Sequence, residues 1–245
     1  MLKTLYRHDR RLLLALLTIV VLLNVPFGNY VLYPFKLFST WVHEMGHGLA
    51  ALLVGSTIDN LKVFSDGSGL ATTLSPPGGG GRISRAIIAS AGYLGTSIVG
   101  AMLLSLRRFR RIERIGTIGF GLLMALSAIL WVRNGFGFFA ILVIAAALIL
   151  AGLKLKQGGA SFLFALLAAT CSLNALTSIQ TLFGGTRQVG GEVVEHTDAH
   201  TVAAQLFLPY WFWAGRWLIT SVGLLFVGLR LGLRATPEAE ANSEA

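Results

Sequence analysis

The sequence predicts an all-α polytopic membrane protein with six or seven transmembrane helices and one short β-hairpin. Three observations carry that expectation. Hydrophobic residues make up 54% of the 245 positions and charged residues only 13%, with a mean hydropathy of +0.70, too little polar surface for a soluble domain. The apolar residues gather in runs close to the roughly 20 residues that cross a hydrocarbon layer. Charged residues concentrate at the ends of those runs, as helix flanks do.

The first run, Leu12 to Phe27, follows the basic stretch Lys3 to Arg11 and reads as a retained span, because no small-x-small cleavage site comes after it. Asn24, Pro26, Gly28 and Asn29 then mark a turn or a helix break before the second run, Tyr30 to Val54. Next come two β-prone stretches, Leu61 to Phe64 and Leu70 to Leu74, joined through Asp66-Gly67, a hairpin-turn pair. Pro76-Pro77 and Gly78 to Gly81 form a linker into Ser84 to Leu106. Thr117 to Val132, Gly135 to Leu153, Ala160 to Phe183 and Gln205 to Leu229 complete the candidate spans. The polar stretch Gly184 to His196 reads as a loop. Residues 1–234 read as a single membrane-embedded domain and residues 235–245 as a disordered acidic tail.

Counting seven spans puts the N-terminal basic cluster and Arg107-Arg108-Arg110-Arg111 on opposite sides, against the positive-inside rule. One span is therefore miscounted, either in the first pair or between Thr117 and Leu153. The formal charge of +9 is dispersed over such flanks and fits contact with the lipid bilayer rather than nucleic acid, for which no motif is present. A lone cysteine, Cys171, excludes a disulfide framework and a Cys-rich metal site.

Within the second run lies His43-Glu44-Met45-Gly46-His47. Residues four apart share a helical face, so two imidazoles can point at one ion while Glu44 flanks it, the zincin arrangement for Zn²⁺. A catalytic zinc takes three protein ligands and leaves a position for water, with the neighbouring carboxylate as general base. Ionisable groups at membrane depth are costly and default to function.

Trp41 to Ala51, the hairpin Lys62 to Thr73 and Ala91-Gly92-Tyr93-Leu94-Gly95 together resemble the site-2 protease family of intramembrane zinc metallopeptidases, in its compact B-like branch of bacterial and plant members. The resemblance implies a multi-pass protein of a bacterial cell membrane that hydrolyses peptide bonds of transmembrane substrate proteins. It places zinc on His43 and His47 and the general base on Glu44. The family's third ligand is an Asp, in better-known members within Leu-Asp-Gly. This chain has no Leu-Asp-Gly, and Asp198-Ala199 resembles an Asp-Ala pair found late in the compact branch.

Asp198 leads as third ligand because a carboxylate suits zinc and few acidic groups follow the third span. The alternative is a helix start, Thr197 capping and Asp198 facing the macrodipole. His196 and His200 are rivals. Asn174 is a candidate substrate-backbone or ligand-positioning group. A substrate helix must be unwound before it is cut, and lipid offers unwound backbone no partners, so the hairpin, at Val63 and Leu70, is expected to supply them by strand addition. Gly92 and Gly95, with Ala91 and Gly100, read as small surfaces against the zinc helix. Trp211, Trp213 and Trp217 read as an interfacial belt. A non-catalytic scaffold or chaperone that keeps the zinc helix is the alternative function, motivated by the missing Leu-Asp-Gly. A metal transporter would need more polar residues across several spans.

Overall fold

A computed structural model describes residues 2–77, 80–178, 183, 187–194 and 197–233. Among these, eight helices and two small hairpins follow in order: α1 (Leu2–Asn24), α2 (Gly28–Leu53), β1 (Thr57–Val63), β2 (Gly69–Leu74), α3 (Arg82–Leu106), α4 (Arg110–Trp131), α5 (Gly135–Lys154), α6 (Gln157–Thr177), β3 (Arg187–Val189), β4 (Glu192–Val194), α7 (Asp198–Leu206) and α8 (Tyr210–Gly232). Five of them, α3, α4, α5, α6 and α8, are long and apolar enough to cross a membrane. The 23-residue α1 and 26-residue α2 have spanning length but carry the N-terminal basic residues and the His-Glu-His motif. His196, Gly78 and Gly79 of the linker, and the acidic tail at 235–245 lie outside the described residues.

The break between the first two helices is a turn. Phe27 adopts a left-handed conformation (φ 64°), and Gly28 sits against the Leu22 carbonyl where a Cβ could not fit. The expected last span, Gln205 to Leu229, loses its first five residues: Gln205 and Leu206 end α7, Phe207 turns left-handed (φ 69°) and Pro209 cannot continue that helix, so α8 starts afresh at Tyr210.

Strands β1 and β2 pair antiparallel with Val63 opposite Gly69 and Leu61 opposite Ala71, and the register shifts between Ile58 and Asn60. The turn is longer than an Asp-Gly pair alone would make: the Phe64 N–H donates to the Ser68 carbonyl, and Gly67 takes the positive φ (84°). The outer edge of β1 is occupied. Arg133 N–H donates to the Leu61 carbonyl, and the Asn134 side chain both accepts from Val63 N–H (3.1 Å) and donates to the Val63 carbonyl (2.6 Å).

The stretch read as a plain loop contains a second hairpin, β3–β4, so that expectation is corrected. Gly190 and Gly191 both have positive φ (62° and 87°), the geometry a two-residue hairpin turn demands. The signal was Val189-Gly190-Gly191-Glu192, flanked by strand formers.

Helix α3 is the axis of the bundle, packed against α2, α6, α7 and α8, while α4 and α5 form an antiparallel pair beside it. Gly46 of α2 meets the Ala91 carbonyl, and Gly95 approaches the Gly46 Cα, so small residues bring α2 and α3 backbone to backbone as expected. Gly100 belongs to a different contact, with Ser172 of α6 and Leu225 of α8. The tryptophans separate as well. Trp211 is exposed, but Trp213 and Trp217 are buried with Ala86, Ala89 and Tyr93 in a core under α7.

Candidate metal centre

His43 and His47 sit one turn apart on the side of α2 that α3 covers, and their Nε2 atoms are 3.1 Å apart. Helix α7 begins at Asp198, whose Oδ2 lies 3.3 Å from His43 Nε2 and 3.5 Å from His47 Nε2. Zinc bonds of about 2.0 to 2.2 Å at tetrahedral angles separate neighbouring donors by about 3.3 to 3.6 Å, so two of the three edges fall within the range of one coordination face and the His43–His47 edge is about 0.2 Å short of it. Among the described residues this is the group of His, Cys, Asp and Glu side chains that could hold a metal ion.

Hydrogen bonding fixes the tautomer of one ligand. His47 Nδ1 lies 2.7 Å from the Ile88 carbonyl, which can only accept, so Nδ1 carries the proton and Nε2 presents a lone pair to the centre. Asp198 Oδ2 faces both Nε2 atoms, so two imidazole nitrogens and a carboxylate oxygen converge on one point, a donor set that could hold a cation.

The cradle has room for it because residue 92 is glycine. A Cβ built on Gly92 would stand 2.6 Å from His43 Nε2 and closer still to His47 Nε2. The neighbouring ring of Tyr93 meets His43 edge-on at 4.8 Å (89°) and stacks on Trp217 at 5.4 Å (17°), so aromatic contacts fix the plane of the His43 imidazole. Sequence reasoning did not single out Tyr93 or Trp217 for this role; the Ala-Gly-Tyr-Leu-Gly stretch was the available signal.

Glu44 is 3% exposed, and its Cγ and Oε1 lie 2.6 and 2.7 Å from where a Gly69 Cβ would be, so the start of β2 presses on the carboxylate. With His43 it faces a cavity of about 510 Å³, also bordered by Thr40, Tyr93, Asn174 and Gln188. Asn174 therefore reaches the site, where it accepts from Ser178 Oγ at 3.2 Å. His200 is directed elsewhere: its Nδ1 pairs with Thr197 Oγ1 at 2.9 Å and its ring stacks on Tyr210 at 4.1 Å. Val63 is fully buried with both backbone groups taken by Asn134, whereas Leu70 is half-buried on β2.

The second hairpin docks on the first. Gly190 N–H donates to Ser68 Oγ (2.9 Å) and Gly191 N–H to Asp66 Oδ2 (3.1 Å), which brings Gln188 and Val189 to the cavity wall. Slight burial raises the Asp66 carboxyl, but hydrogen bonds from Ser68 and Gly191 and the charge of Lys36 more than offset this and lower it. A lowered folded-state value means the clasp is complete above the ordinary carboxylate range and is lost as pH falls through that lowered value. Asp66→Asn is accordingly expected to speed amide exchange at Gly190 and Gly191; unchanged exchange would mean that the clasp contributes nothing.

A family model described as Peptidase M50B-like matches residues 12–228. No curated protein and no solved structure matches the chain.

Proposed function

Because the chain belongs to the Peptidase M50B-like family, the site-2 protease relatives among membrane metallopeptidases, we propose that it is a zinc-dependent intramembrane endopeptidase acting on transmembrane segments of other proteins. One observation carries the reading: His43, His47 and Asp198 place three donor atoms near tetrahedral spacing beside a buried glutamate and an open cavity. The residues fit the ion, since the donor set is the hard and borderline kind zinc takes and Gly92 leaves the space vacant of side chain. When bound, zinc supplies Lewis acidity that brings water within reach of deprotonation near neutral pH.

The remaining work falls to this chain's own side chains. Glu44 takes the proton from the attacking water and returns it to the leaving amine. Its burial against Gly69 keeps the carboxylate from turning away. Asn174 offers an amide to the substrate backbone at the cavity wall. Extended substrate needs partners for its peptide groups, and pairing parity supplies them. With Leu61 and Val63 directed outward to the α4–α5 connection, Leu70 and Thr72 point at β1, and Gly69, Ala71 and Thr73 direct their N–H and carbonyl groups to the other edge of β2. Strand addition therefore uses that edge, and Ala71→Pro is expected to depress cleavage while metal content stays unchanged. Cleavage at the wild-type rate in Ala71→Pro would rule strand addition out.

The scaffold alternative drew on the missing Leu-Asp-Gly, and Asp198 beside both imidazoles takes away that motive. The test is metal removal. Protein purified in detergent is incubated with a transmembrane-peptide library, stripped with a chelator, and reloaded with zinc. Cleavage should vanish on stripping and return on reloading; a library left intact by the zinc-loaded protein would sink the protease reading.

A further inference from the structure

We infer that the metal centre lies in the half of the bilayer away from the cytoplasm, so that the substrates, on the protease reading above, are transmembrane segments cut toward their non-cytoplasmic end. The helix ends carrying the basic residues meet in space. Helices α3 and α4 join through Arg107, Arg108, Arg110 and Arg111. The start of α6 is tied to that junction by Gln157 Nε2, which donates to the Arg110 carbonyl (3.1 Å), and the end of α5 by Arg114 Nη2, which donates to the Leu155 carbonyl (2.8 Å). The end of α8 closes on it too, with Gly232 against the Leu104 carbonyl and Arg107 Nε, beside Arg230. Lys154 and Lys156 flank the α5–α6 connection at the same end. Arg11 of α1 also reaches it, its Nη2 4.0 Å from where a Gly158 Cβ would stand.

That last contact resolves the orientation conflict in the sequence. A strict seven-span zigzag separates the N-terminal basic cluster from the Arg107 loop, whereas the folded chain puts Arg11 with the arginines of α3 and α4. The opposite end has less excess positive charge: among the described residues Lys36, Lys62, Arg82, Arg85, Arg133, Arg187 and Arg216 lie toward it, but together with Asp59, Asp66, Glu192 and Asp198, whereas the arginine-rich end sets only Glu113 against the arginines of α3 and α4. Orientation follows excess Lys and Arg in short connections, which sets the arginine-rich end in the cytoplasm.

The metal centre is at the other end. Helix α2 advances alongside α4: Phe38 packs on Phe120 (5.4 Å), then Trp41 Nε1 donates to Ser127 Oγ (2.8 Å), and Leu61 of β1 bridges Val132 beyond the end of α4. On α3, Gly92 is about 10 Å from Arg85 but about 22 Å from Arg107 at 1.5 Å per residue. In a hydrocarbon layer of about 30 Å this puts the centre in the half remote from the arginines.

Site-directed labelling tests the inference. Cys171 is fully buried, and a Cys171→Ser background accepts reporters at Val193 (64% exposed, on β4) and Leu155 (40% exposed, between α5 and α6). With a membrane-impermeant maleimide, Val193→Cys should label in intact cells and Leu155→Cys only after permeabilisation; the reverse pattern overturns the inference. A fusion after α8 is an independent measurement that tolerates poorly reactive cysteines. A fluorescent-protein fusion should glow and a phosphatase fusion stay inactive, and the opposite result overturns the orientation. Loss of Glu44-dependent cleavage would strike the protease reading and leave these labelling patterns untouched. A cut mapped to the cytoplasmic half of a substrate would overturn the substrate statement alone.

Discussion

Glu44→Gln is expected to retain its metal in full while peptide cleavage falls by on the order of 100- to 10,000-fold, the range that positioned proton transfer contributes. The reason is a division of labour inside one helical turn. On the proposed reading metal contact falls to His43 Nε2, His47 Nε2 and Asp198 Oδ2, whose mutual distances of 3.1, 3.3 and 3.5 Å are close to the edges of one face of a tetrahedron. Glu44 is outside that set and is wedged between α2 and the start of β2. Glutamine has the same shape, so the packing against Gly69 survives, but an amide cannot accept a proton from water. Metal analysis of the purified variant together with single-turnover cleavage of a transmembrane peptide decides the matter. Wild-type rates would remove Glu44 from the chemistry, and loss of metal would make it a ligand instead of a base.

How much of this was legible in the chain depends on the range of the interaction. His43, Glu44 and His47 were readable because helical periodicity is local: four residues make one turn, and no tertiary information is needed to align two imidazoles. The apolar runs were equally plain, and α5 (Gly135–Lys154) departs by one residue from the expected Gly135 to Leu153. Boundaries failed where polar residues belong inside a helix. Helix α4 begins at Arg110 and not at Thr117, because Arg110, Arg111 and Arg114 lie at an end where charges remain solvated while Glu113 is buried against Ser161 and Gln157. Asp198 was only one reading among several, since its approach to His43 joins positions far apart in sequence and depends on α7 packing over α3. Which edge of the hairpin is open was invisible for the same reason. Asn134, between α4 and α5, covers Val63, and no property of the strand sequence announces that contact.

Gly92→Ala is expected to cost at least about 100-fold in zinc affinity, beyond the 10- to 100-fold that outer-shell changes cost, and to abolish cleavage with it. The added methyl would stand 2.6 Å from His43 Nε2, 2.7 Å from His43 Cε1 and nearer still to His47 Nε2, in the space where the donor lone pairs converge. Relief by backbone movement is blocked, because Gly46 already lies against the Ala91 carbonyl and holds α2 and α3 in contact. Relief by rotating His43 is opposed by the Tyr93 ring, itself stacked on Trp217, and His47 would have to give up its bond to Ile88. Overpacking costs of roughly 1 to 3 kcal/mol are the most the fold need lose, so helical content should persist while the metal is lost. Gly95→Ala is the matched control on the same helix: its Cβ would meet only the Gly46 Cα, at 3.4 Å, an ordinary contact. Zinc affinity by chelator competition separates the two variants. Wild-type affinity in Gly92→Ala would show that the ion, if held at all, is not held between these two imidazoles.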